Sequence, residues 1–155
     1  SSRIVLLRNF DTSGFDFFTN YESKKGSDLL KNPQVALNFF WQQIERQIRI
    51  EGKIEKLSQE ESDAYFLSRP TASQIGAWAS AQSKPIANRS ELEKQVDTYS
   101  KKFANQPIQR PAHWGGYKIV PDYFEFWQGR SSRLHDRLRF TLTDAGNWTR
   151  ERLAP

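Results

Sequence analysis

"ERQIRIEGKIEKL", residues 45–57, decides the fold class. Ile48, Ile50 and Ile54 fall on one side of an extended chain while Gln47, Arg49, Glu51 and Lys53 fall on the other, the alternation of a half-buried strand. Gly52 interrupts the run at a place where a strand can bend. The same period continues on both sides. "RIVLLRNF" (3–10) and "FDFFTNY" (15–21) flank the turn-rich "DTSG" and read as a hairpin. "QVALNFFW" (34–41), "GGYKIVPDYFEFWQG" (115–129), "RLHDRLRFTL" (133–142) and "NWTRERL" (147–153) supply further strands, with "TDAGN" as a turn. Three helices interrupt them: "SKKGSDLLKN" (23–32), "SQEESDAYFLSR" (58–69), opened by a Ser58/Glu61 capping box and stopped by Pro70, and "SELEKQVDTYSKKF" (90–103), opened by Ser90 and Glu93. "ANQPIQRPAHWGG" (104–116) is a long loop. The expected architecture is a mainly β, antiparallel, Greek-key-like barrel with flanking helices, in one domain over residues 1–155.

Composition narrows the function. A chain of 155 residues with 37% hydrophobic and 26% charged residues is ordinary for a globular domain with a real core. The longest apolar runs are strand-sized, so no membrane span is expected, and no charged segment with an apolar run opens the chain as a secretory signal would. Zero cysteines remove disulfides, thiolate metal sites and cysteine nucleophiles, and suit a cytoplasmic, reducing setting. Zero methionines imply that the natural protein has more at its N-terminus. The net charge of +5 favours anionic partners without separating nucleic acid from phosphorylated small molecules.

Protein-only catalysis is hard to assemble from these residues. His135 and Asp136 are adjacent, so a strand would point them to opposite faces, against a serine-type triad. Two histidines and no cysteine make a poor metal site, and none is expected. Glu60 and Glu61 open a helix, where its dipole accounts for them. Any chemistry therefore belongs to a bound cofactor. The anion-binding signals are better. Tyr65, Arg69 and Ser73 are spaced four apart at a helix end and would suit a phosphate. Ser23, Lys24 and Lys25 open a helix after a strand and would suit a second anion. In "RLHDRLRF" an extended chain puts Arg133, His135, Arg137 and Arg139 on one face, with Leu134, Asp136, Leu138 and Phe140 behind.

These segments carry a resemblance. "SSRIVLLR", "FFTNYESKKG", "ERQIRIEG", "YFLSRPTASQIGAWAS", "QSKPIA", "HWGGY", "EFWQGRSSRLHDR" and the terminal "ERLAP" are similar, in order and from end to end, to the pyridoxamine 5′-phosphate oxidase family. The resemblance implies a split β-barrel homodimer with flavin mononucleotide (FMN) at the subunit interface. Its last part would be the family's C-terminal dimerisation region, and the family's N-terminal extension lies outside this chain. The implied reaction oxidises pyridoxamine or pyridoxine 5′-phosphate to pyridoxal 5′-phosphate, with dioxygen as acceptor and hydrogen peroxide as product.

Carried over by position, the resemblance assigns Arg3, Phe18, Thr19, Ser23, Lys24, Lys25, Gln47, Gln82, Ser83, Trp127 and Arg137 to FMN. It assigns Arg8, Tyr65, Arg69, Ser73, Arg133 and His135 to substrate, with Arg133 and His135 nearest the reacting carbon. Arg8 stands where members commonly have lysine, and Lys24 where many have arginine; each keeps the charge and changes the donor geometry. Two alternatives compete. A phenazine-type oxidase of the same barrel is disfavoured by the intact "RLHDR". A single-stranded nucleic-acid binder using Trp41, Trp78, Trp114, Trp127 and Trp148 is disfavoured by the compactness of the arginine cluster and by tryptophans that read mostly as core.

Overall fold

The computed structural model describes all 155 residues. Seven strands, β1 (Asn9–Asp11), β2 (Gly14–Asn20), β3 (Gln34–Trp41), β4 (Arg46–Lys56), β5 (Trp114–Gln128), β6 (Asp136–Leu142) and β7 (Trp148–Leu153), form one antiparallel sheet. Four helices flank it: α1 (Lys24–Lys31), α2 (Gln59–Ser68), α3 (Thr71–Ala79) and α4 (Arg89–Lys102). None is long and apolar enough to cross a membrane.

Strand β5 organises the sheet. One of its edges pairs with β4 from Tyr117 to Gln128, while its other edge is shared, β2 taking residues 114–119 and β6 taking 123–128. The sheet therefore forks at Val120–Asp122, and this division is what splits the barrel. Pro121 sits at the fork without an N–H for the ladder. Opposite it, the β4 register shifts between Glu51 and Gly52. A Cβ on Gly52 would lie 2.1 Å from the Val120 carbonyl oxygen, so only glycine permits this approach. A first core cluster forms where α2 and α3 cover β5, around Phe66, Ile75, Ala77, Ile108 and Trp114; a second, around Phe17, Tyr117 and Ile119, lies between β2 and β5.

Several sequence expectations require correction. Of the expected 3–10 strand only Asn9 and Phe10 pair, joined in β1 by Asp11. Residues 1–8 lie outside the ladder, tethered by Arg3 to Asp28 and by the Arg8 N–H, which donates to the Asp16 carbonyl at 2.9 Å. Pro70 does not simply stop a helix: it is the N-cap of α3, because its fixed φ and missing N–H cost nothing at a helix start. The last helix is capped by Asn88, whose Oδ1 accepts from the Glu91 N–H, and Ser90 serves that cap by donating to it. Strand β6 starts at Asp136 and not at Arg133, because Ser132 and Arg133 take φ of 57° and 62° in a 3₁₀ turn and break the extended chain. Of the five tryptophans only Trp114 is buried; Trp41 and Trp148 are exposed, so the expectation of a mostly core role fails for them.

Candidate functional site

Cations without carboxylate partners mark the site. Lys25 projects from the first turn of α1, where Ser23 caps the helix by accepting from the Gly26 N–H. Its ammonium donates to Thr19 Oγ1 at 2.9 Å and lies over the Phe17 ring. Burial, aided by the nearby Arg3 charge, pushes its pKa down. Arg69 ends α2 in extended conformation, with Pro70 turning the chain into α3. Its guanidinium lies 4.5 Å from the centre of the Trp114 ring, and its Nη1 is buried with no hydrogen-bond partner. Its pKa is also lowered, first by burial. Arg8 reaches over Tyr65 from the opposite wall, 5.8 Å from the ring centre. A buried, unpartnered guanidinium nitrogen and a desolvated lysine in one cavity are each costly unless an anion completes them.

A single cavity of about 390 Å³ collects Arg8, Phe18, Thr19, Lys25, Tyr65, Arg69, Ser73 and Gln82. Tyr65, Arg69 and Ser73 thus meet as expected, although at a helix–proline–helix corner instead of on one helical face. Phe18 stacks on Tyr65 with ring centres 3.8 Å apart, and Thr19 Oγ1 is 3.3 Å from Gln82 Oε1. Trp114, which parallels both Phe18 and Tyr65, is a wall of this cavity, a role not expected from the sequence, where it stood as core or as a base-stacking surface; the two glycines after it, which make room for the Tyr21 and Phe18 side chains, are the signal that marks it. Arg3 and Lys24 lie outside this cavity, both paired to Asp28, whose carboxyl is held below the usual range by bonds from Ser1, Lys24 and Arg3. Ser23 is buried and donates to the Asn20 carbonyl. Ser83 adopts a φ of 71° in the loop that follows α3.

A second cluster lies at the far end of β5. Gln47, Trp127 and Arg137 are direct cross-strand partners and form one row across β4, β5 and β6. His135 sits against Trp127, ring centres 4.8 Å apart, while Arg133 is exposed on the 3₁₀ turn before it. The expected common face of Arg133, His135, Arg137 and Arg139 holds only for the last two, which alone belong to β6. Arg137 is fixed from behind: its Nε donates to Glu125 at 2.8 Å and its Nη1 to the Ala154 carbonyl at 3.0 Å. Glu125 is 4% exposed, also accepts from Tyr123, and is held below the usual glutamate range chiefly by the bond from Arg137. Sequence reading missed it, although a carboxylate alternating with aromatics inside "YFEFW" is the signal of a buried ion pair.

The two clusters do not touch. Thr19 pairs with Gly115 and Gln47 with Trp127, twelve residues further along β5, a path of at most roughly 40 Å at strand rise.

Comparison with known proteins identifies the family. Residues 2–103 match the family model described as pyridoxamine 5′-phosphate oxidase, and residues 114–155 match the pyridoxine 5′-phosphate oxidase C-terminal dimerisation region. A pyridoxine/pyridoxamine 5′-phosphate oxidase of Bordetella petrii is 59% identical over 155 residues, covering 100% of this chain and 73% of the relative. One from a Nostoc species is 56% identical over the same length, covering 72% of the relative. Among solved structures, PhzG from Burkholderia lata, in complex with tetrahydrophenazine-1-carboxylic acid, superposes with a TM-score of 0.92 at 29% identity, over 100% of this chain and 75% of that one. An FMN-binding protein of Nostoc punctiforme related to pyridoxamine 5′-phosphate oxidase shares the fold, with a TM-score of 0.77 at 16% identity over 99% of this chain and 80% of that one. The chain belongs to the pyridoxamine 5′-phosphate oxidase family.

Proposed function

We propose that this protein is a cytoplasmic, FMN-dependent oxidase that converts pyridoxamine 5′-phosphate or pyridoxine 5′-phosphate to pyridoxal 5′-phosphate, serving vitamin B6 metabolism. The observation that carries the reading is the cavity holding two desolvated cations, Lys25 and Arg69, neither with a carboxylate partner. Such a cavity fits phosphate esters. Lys25 with Thr19 serves the phosphate of FMN, and Arg69 with Arg8, Tyr65 and Ser73 serves that of the substrate. Arg3, Phe18, Ser23, Lys24, Gln47, Gln82, Ser83, Trp127 and Arg137 complete the flavin environment. Bound there, FMN would supply the two-electron acceptance that the side chains lack, with dioxygen as the final acceptor.

The residues do the positioning. Arg69 and Arg8 anchor the substrate at its phosphate, and the aromatic walls of Phe18, Tyr65 and Trp114 exclude water around it. Arg133 and His135 set the pyridine ring and the reacting carbon. Each alcohol turnover consumes one dioxygen and yields one aldehyde and one hydrogen peroxide; with the amine, water enters and ammonia leaves.

The separation of the two clusters supports a homodimer, because a site needing Arg69 and His135 together takes one cluster from each chain. The dimerisation region at residues 114–155 contains the whole second cluster except Gln47. Residues 1–155 act as one flavin-binding domain within that dimer.

The superposition on PhzG favours a second reading, oxidation of a tricyclic phenazine precursor. One experiment separates the two. Purified, FMN-loaded protein is given pyridoxine 5′-phosphate, pyridoxamine 5′-phosphate or a reduced phenazine carboxylate, and aldehyde and peroxide are measured. Stoichiometric aldehyde and peroxide from the B6 phosphates are expected. A yellow protein that turns over only the phenazine compound refutes the proposal.

A further inference from the structure

The turn that carries Arg133 has no core beneath it; residues 130–134 are all exposed. What holds it is polar. The backbone N–H of Arg130 donates to Nδ1 of His135 at 3.1 Å, and the Arg130 guanidinium donates through Nε to Asp136 Oδ2 at 2.8 Å. From β7, Arg152 donates through Nη1 to the other carboxylate oxygen at 2.7 Å. Asp136 therefore ties both ends of the turn to each other and to the neighbouring strand. Between those ends Ser132 and Arg133 hold left-handed backbone angles, which residues with a Cβ keep only under constraint.

A backbone amide can only donate. The Nδ1 that it meets is the lone-pair nitrogen, so the proton of neutral His135 resides on Nε2. The geometry points to Asp136, bridged by Arg130 and Arg152, as a positioning residue that holds His135 in its Nε2–H tautomer, so that His135 meets the substrate as a hydrogen-bond donor and not as a base. This inference rests on the oxidase reading above. The carbon to be oxidised bears either a hydroxyl oxygen or an amine nitrogen, each with a lone pair. A donor fixed against Trp127 can hold that atom and thereby aim the C–H bond. The plain alternative is a pair of surface ion bridges with no consequence beyond slight stability.

The test uses FMN-loaded protein with ¹⁵N-labelled histidine. The chain has two histidines, so the His135 signals are assigned by their loss in His135→Gln. Wild type is expected to show His135 as the Nε2–H form. Asp136→Asn is expected to give a mixed tautomer and a kcat about tenfold lower at full flavin occupancy, with KM changed by less than about twofold. Asp136→Glu is expected to restore part of both. Arg152→Gln, which removes one bridge from outside the turn, is expected to move the same signal in the same direction and covers the case in which Asp136→Asn fails to fold. An Nδ1–H wild type, or an Asp136→Asn protein with unchanged His135 signals or unchanged kcat, overturns the proposal. A wild type with the Asp136-dependent signal that forms no pyridoxal 5′-phosphate overturns the donor role together with the oxidase reading, and leaves the clamp as structure.

Discussion

At the scale of single residues, charge placement separates groups that anchor a ligand from groups that anchor the protein. Lys25 has no carboxylate within ion-pair distance, whereas its neighbour Lys24 is paired with Asp28 at 3.1 Å. Lys25→Ala is expected to remove a charge-assisted bond of roughly 1.5–3 kcal/mol and to weaken FMN binding about ten- to hundredfold, read by fluorescence titration, while Lys24→Ala, which removes a charge that Asp28 already balances, weakens it less. Glu125 is the opposite case, a buried carboxylate whose pKa is depressed chiefly by Arg137. Because the folded value lies below the unfolded one, its contribution to stability is complete above the ordinary glutamate pKa of about 4.3 and is lost as pH falls through the folded value. Glu125→Gln should therefore flatten the acid limb of the stability–pH curve followed by urea unfolding between about pH 6 and pH 3. A limb as steep as that of the wild type would assign the acid sensitivity to other carboxylates.

At the scale of elements, the fork in β5 is what gives the sheet two separate ends on which to build. Gly52 is the residue that permits it, and Gly52→Ala is expected to cost at least about 2 kcal/mol in urea unfolding, since the Val120 carbonyl would have to move. The strand pattern around Gly52 was readable from "ERQIRIEGKIEKL" because one face of β4 is buried at Ile50 and Gly52 while no residue of the Gln47, Arg49, Glu51 and Lys53 face is, which is the condition for alternation. The row of Gln47, Trp127 and Arg137 was not readable from spacing, because register between β4, β5 and β6 is set by pairing, and the shift at Gly52 resets it by one residue. The resemblance named these residues without showing that they adjoin. The start of β6 was misplaced for a related reason: Ser132 and Arg133 adopt left-handed angles without the glycine or asparagine that ordinarily announces them. Tyr65, Arg69 and Ser73 were grouped by their spacing at a helix end, and the structure brings them to one cavity by a different route, the corner at Pro70 that puts Ser73 on the next helix.

At the scale of the whole molecule, the distance between the clusters makes a prediction that no single-chain site can share. Each site of a two-fold homodimer would take Arg69 from one chain and His135 from the other. Arg69→Leu alone and His135→Leu alone should both leave little oxidase activity, and each homodimer carries its single defect in both sites. When the two variants are unfolded together in equal amounts and refolded with FMN, about half of the dimers are mixed by random pairing. In a mixed dimer one site receives both substitutions and the other receives neither. Half of the dimers, each with one intact site of two, amount to about a quarter of wild-type activity. The measurement is pyridoxal 5′-phosphate formation per FMN bound, compared with the same proteins refolded separately and then mixed. Recovery near a quarter only after joint refolding is the expected result. No recovery, with mixed dimers demonstrated by tagging the two variants differently, would mean that both clusters act within one chain and that the twelve-residue offset along β5 is bridged in some other way.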